Sequence, residues 1–190
     1  MSYDVNVAVH AANWPSSAAV QTCMHRLGYP VALVQTDSRP FMRSDGLEVH
    51  FDGRRVVLDA SAEKLPRDNV YAYDVGRPPD HRPDDGTVTS WIIHPGERMR
   101  GVDINDDLRR IGAQGVHFGY GDYVLTISYR SSIDEMRAGA FVTAGMIKCF
   151  GGYGFDMQAR THGGDAFADE LAADARNDAL WSALAREVQR

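Results

Sequence analysis

Two residues that close apolar runs offer most of the chemistry this chain can do. His10 ends the alternating run at 4–10, and Arg130 ends the apolar run that begins at Tyr123. An imidazole exchanges protons near neutral pH, and a guanidinium grips carboxylates and phosphates through paired donors. Asn13 and Trp14 follow His10, and Ser131 and Ser132 follow Arg130, each pair just before a segment with helical spacing. Where a strand ends and a helix begins, unpaired backbone N–H groups favour an anion. His94 closes a third apolar run. The expected site therefore uses His10, His94 and Arg130 as acid–base and anchoring groups, with Asn13, Trp14, Ser131 and Ser132 around an anionic ligand. Helix capping and ordinary loop polarity are the simpler explanation of the same residues.

Other chemistries find less support. The seven histidines form no HxxxH or HExxH, and no CxxC occurs, so no metal or cofactor is expected from ligand spacing. No GxSxG elbow is present. Cys23 falls on the apolar stripe of its helix, and Cys149 falls near a helix C-terminus, where the dipole disfavours a thiolate. Both read as buried, inert thiols in a reducing compartment, since two cysteines make no disulfide framework. The glycines at 151, 152 and 154 follow a helix instead of opening one, so they read as a helix stop and not as a phosphate loop. Gly119-Tyr120-Gly121 reads as a hairpin turn.

The elements that must position these residues follow from periodicity. Residues 4–10 form a strand, Pro15 opens a helix carrying Val20, Cys23, Met24 and Leu27 on one side, Gly28 stops it, and 31–34 return as a strand. Residues 46–60 form a hairpin about Asp52-Gly53. Four of the eight prolines lie in 62–86, a charged surface connection in which 70–75 offers an edge strand. A strand at 87–94, a pairing segment at 97–102, a short helix at 104–111 and a brief strand at 116–118 come next. A second strand–helix–strand unit spans 123–157, its helix opened by Ser132 and Glu135 in capping-box spacing. A long C-terminal helix runs from 165 to 188. The expected fold is one α+β domain over 1–190. It has a mixed sheet built on the two strand–helix–strand units, as in a duplicated ferredoxin-like arrangement, with right-handed crossovers between parallel neighbours and helices on one face.

The 190 residues carry a formal charge of −6, and 161–190 hold six acids against three basic residues. No basic stripe for nucleic acid exists, and no apolar run is long enough to span a membrane. The absence of a basic, apolar leader points to a soluble cytoplasmic protein. The first functional reading is therefore a protein-binding, inhibitor-type bacterial protein resembling an immunity protein in its physical character. It would meet a basic partner protein through Asp165, Asp169, Glu170, Asp174 and Asp178. The terminal helix, with Trp181 on its apolar side, is also a candidate homodimer element. The alternative is an enzyme or small-ligand binder at the His/Arg strand ends.

Overall fold

The computed structural model describes residues 3–42, 46–75, 99–129 and 132–188. The chain starts with β1 (Tyr3–Val9), α1 (Ser17–Arg26), β2 (Val31–Leu33), β3 (Leu47–Phe51) and β4 (Arg54–Lys64). It continues through β5 (Val70–Val75), β6 (Met99–Asp103), α2 (Ile104–Arg110) and β7 (Tyr123–Tyr129). It ends with α3 (Ile133–Phe150), β8 (Tyr153–Asp156), β9 (Thr161–Gly163), α4 (Asp165–Arg176) and α5 (Asp178–Val188). Seven of the described strands form one sheet in the order β2-β3-β4-β7-β1-β8-β9, and β5 pairs with β6 in a separate ribbon. The fold is α+β, as expected.

The sheet itself corrects the expectation of a mixed one. All its neighbouring pairs are antiparallel. β7 and β8 do run in the same direction, but β1 lies between them, so α3 crosses over an inserted strand. β1 and β2 are separated by β7, β4 and β3. The two strand–helix–strand units therefore occupy the sheet differently. Periodicity detects a strand and a helix, but not which strand is inserted between two others.

Alternation along β1 divides the interior in two. Val5, Val7 and Val9 join the larger core with α1, α3 and α4, whereas Ala8 joins a second cluster with Leu65, Tyr71, Ile104, Leu108 and Phe155. Helices do not share one face, because α2 packs on the side opposite α3. The second face carries an internal polar lock. The Tyr71 hydroxyl donates to the buried Asp107 at 2.7 Å, and burial, followed by this bond, holds the phenol far above its ordinary pKa.

Several local readings survive in detail. Asp52 and Gly53 both have positive φ (47° and 78°), as the two-residue turn between β3 and β4 requires. Ser132 caps α3 by accepting the Glu135 N–H at 3.1 Å, and Gly151 ends that helix at φ 63°. Others change. α1 starts at Ser17 because the Ser16 side chain caps it, accepting the Ala19 N–H, so Pro15 precedes the helix. Residues 116–118 form no strand; instead the Asn105 side chain bonds both the N–H and the C=O of Phe118, doing locally what a partner strand would do. The single C-terminal helix is two, divided at Asn177, whose side-chain oxygen accepts the Leu180 N–H and caps α5. The expected strand at 87–94 lies outside the described residues.

The cysteines require the largest correction. Cys23 and Cys149 are joined in a disulfide between α1 and α3, with Cα atoms 6.2 Å apart. A sequence separation of 126 hides this pairing from any local reading. The bridge also removes the ground on which a reducing compartment was expected. No described helix is long and apolar enough to cross a membrane.

Candidate functional site

The register of β1 and β7 decides which groups meet. Val9 faces Tyr123 and Tyr3 faces Tyr129. Just beyond the Val9–Tyr123 pair, His10 and Asp122 come together, with His10 Nδ1 3.0 Å from Asp122 Oδ2. The C-terminal end of β7, at Tyr129, lies about 20 Å from this point at the usual rise per strand residue, so β1 and β7 finish at opposite ends of the sheet. Arg130, Ser131 and His94 lie outside the described residues. Ser132 stands at that far end as the helix cap.

The loop before β7 aims Asp122. The Asp122 N–H donates to the Gly119 carbonyl, the Gly119 N–H donates back to Asp122 Oδ2 at 3.0 Å, and Gly121 takes φ 93°. Leu65, directly after β4, clamps the loop, donating to the Asp122 carbonyl and accepting from the Gly121 N–H. The Ala11 N–H donates to Asp122 Oδ1 at 2.8 Å. Burial would raise the Asp122 pKa, but the N–H groups of Gly119 and Ala11, together with His10, outweigh it and hold the carboxyl below its ordinary range. An ionised carboxylate only accepts, so Nδ1 of His10 carries the shared proton. In neutral imidazole this leaves the Nε2 lone pair available, and the His10 side chain is 55% exposed. Its ring leans on Phe118, 4.8 Å between centroids. A carboxylate that fixes the tautomer and orientation of an exposed imidazole is a proton-transfer arrangement.

Aromatic and basic groups stand around the same loop. Trp14 stacks on Tyr123 at 4.5 Å and donates from its indole N–H to the Phe41 carbonyl. Lys64 Nζ lies 5.9 Å from the Tyr123 ring centroid, and the Arg67 guanidinium 5.8 Å from that of Tyr120, itself 70% exposed. Asn13 abuts Gly151, where an added Cβ would lie 3.6 Å from its side-chain nitrogen. His10, Asn13 and Trp14 thus share one end of the sheet. Asp122, Lys64, Arg67 and Tyr120 were missed. The sequence signal for Asp122 was its place directly before a strand, after Gly-Tyr-Gly; seeing it required the register with β1.

The acids at 165–178 behave differently from one another. All five are exposed, with Asp165, Asp169, Glu170 and Asp174 on α4 and Asp178 opening α5. Lys148 bonds Asp169 at 2.8 Å, and Arg137 bonds Asp178 at 2.7 Å. Two cavities lie elsewhere. One of about 400 Å³ is lined by Gln35, Asp37, Arg39, Phe41 and Glu48 among others. One of about 450 Å³ lies between α1 and the β2 edge. Among the described residues, no three His, Cys, Asp or Glu side chains group as a metal site. No protein-family model, curated protein or solved structure matches this chain.

Proposed function

We propose that this protein is an enzyme or binder for a small anionic ligand, acting at the end of the sheet where β1 finishes. The observation that carries the reading is the His10–Asp122 pair, with an ionised carboxylate orienting an exposed imidazole. His10 Nε2 is the group that would take or give a proton. Lys64 and Arg67 supply the positive charge first assigned to Arg130, in a chain of net charge −6. Tyr120 and the Trp14–Tyr123 stack offer flat apolar surface beside them.

The test is an amide and imidazole NMR titration with a panel of small carboxylates and phosphate esters. Shifts confined to residues 10–14, 64–67 and 119–123, and abolished in His10→Ala, are expected. Saturable binding that maps elsewhere, or survives in that variant unchanged, refutes the reading.

A second reading keeps the protein-binding role, with a basic partner meeting α4. What favours it is the exposure of Asp165, Glu170 and Asp174 on a helix anchored by Phe167, Ala168 and Ala172. The pairing of Asp169 and Asp178 with basic side chains reduces the charge available to a partner.

A further inference from the structure

The bridge between α1 and α3 includes none of the strand-end residues. Its two sulfurs are unequal. Cys23 is 2% exposed, whereas Cys149, the penultimate residue of α3, is partly exposed. An external thiolate can reach the bond from the Cys149 side.

Each sulfur also has a polar neighbour whose contribution depends on redox state. Arg26 Nη2 lies 3.1 Å from Cys149 Sγ. A disulfide sulfur is a feeble acceptor, but a thiolate there would take a charge-assisted hydrogen bond. That bond offsets the unfavourable C-terminal end of α3. Cys23 Sγ lies 3.5 Å from the Gly145 carbonyl oxygen. A bridged sulfur has no proton to give, whereas the reduced thiol would donate to that carbonyl. Gly145 makes room for Met24 beside this sulfur, since a Cβ there would run into the end of the Met24 side chain. The reduced pair is thus provided with partners inside the native packing.

We propose that Cys23–Cys149 is a reversible thiol–disulfide exchange site, opened in the folded protein by low-molecular-weight thiols at Cys149 Sγ. A glutathione thiolate attacks Cys149 Sγ and the S–S bond breaks. Cys23 leaves as a thiolate and takes a proton from water, and a mixed disulfide remains on Cys149. A second glutathione thiolate attacks the glutathione sulfur of that adduct. It releases oxidised glutathione and the Cys149 thiolate, which Arg26 receives. Two thiols are oxidised as one protein disulfide is reduced.

The experiment is a glutathione pulse on the native, full-length chain, quenched with acid and mapped by peptide mass spectrometry, with circular dichroism recorded in parallel. The expected adduct sits on Cys149 in about tenfold or greater excess, with the dichroism unchanged. In Arg26→Gln the mixed disulfide should persist severalfold longer, because the departing Cys149 thiolate loses its partner. As a second arm, Cys23→Ser should react readily with a thiol reagent, and Cys149→Ser should not. An adduct chiefly on Cys23, exchange seen only where the chain unfolds, or an unaltered adduct lifetime in Arg26→Gln overturns the proposal.

Discussion

Reducing the Cys23–Cys149 bond should lower stability by a calculable amount. The bridge closes a loop of 126 residues, and in the chain-entropy description this constrains the unfolded chain by about 5 kcal/mol at 25 °C. For 190 residues, an unfolding entropy of about 0.4 kcal/mol/K converts this to a fall of roughly 12 °C in melting temperature. Reduction is a cleaner perturbation than substitution, because both sulfur atoms remain in place. Native contacts then change little, and most of the effect arises in the unfolded ensemble. Guanidinium and thermal unfolding should be recorded with and without a phosphine reductant, with free thiols counted at each point. The reduced chain should also show the steeper denaturant dependence, since its unfolded state exposes more surface. Midpoints agreeing within a degree or two, with both thiols titrated as free, would refute the reasoning.

Other expectations follow from single contacts. Because the folded Asp122 carboxyl titrates below its ordinary range, its stabilisation is present above about pH 4. It is lost as pH falls through the folded value, so the stability gap between wild type and Asp122→Asn should narrow on acidification in denaturation curves from pH 7 to 2.5. The same variant should disturb the tautomer of His10, visible in its ring ¹⁵N shifts, since an amide oxygen is a weaker anchor for Nδ1–H. Tyr71→Phe leaves Asp107 Oδ2 without its phenol donor and should cost about 1–3 kcal/mol by chemical denaturation. An alanine at Gly154 would place its Cβ 2.7 Å from both Ile147 and the Phe167 ring; Gly154→Ala should cost about 1–3 kcal/mol through overpacking. Asn177→Ala removes the α5 cap and should speed amide exchange at 178–183, with about 1 kcal/mol of local destabilisation.

Much of the local architecture was legible because its causes are local. The Asp52-Gly53 turn, the Ser132 cap and the Gly151 stop depend on backbone preferences that neighbouring residues declare. The stripe of Val20, Cys23 and Met24 announced a helix with a buried side, and α1 buries those residues. Even the break at Asn177 was written in a residue type that caps helices, although the longer apolar periodicity spoke against it. The proposed strand-end site was half legible. His10 at a strand end and Trp14 beside it were readable as types in places, while their partners were not.

What only the tertiary structure decided depends on which strands lie side by side. Antiparallel pairing of β1 with β7 puts His10 against Asp122 and sends the end of β7, which leads to Arg130, to the other side of the sheet. A sequence repeat suggests equivalence, but strand order and direction are settled by packing across the whole core. The disulfide has the same origin, since α1 and α3 are brought together by the sheet they both cover. By itself the chain determined where most helices and strands would form and which of their faces would be apolar. Which histidine meets a carboxylate, and whether the two cysteines meet at all, was left to contacts between residues more than one hundred positions apart.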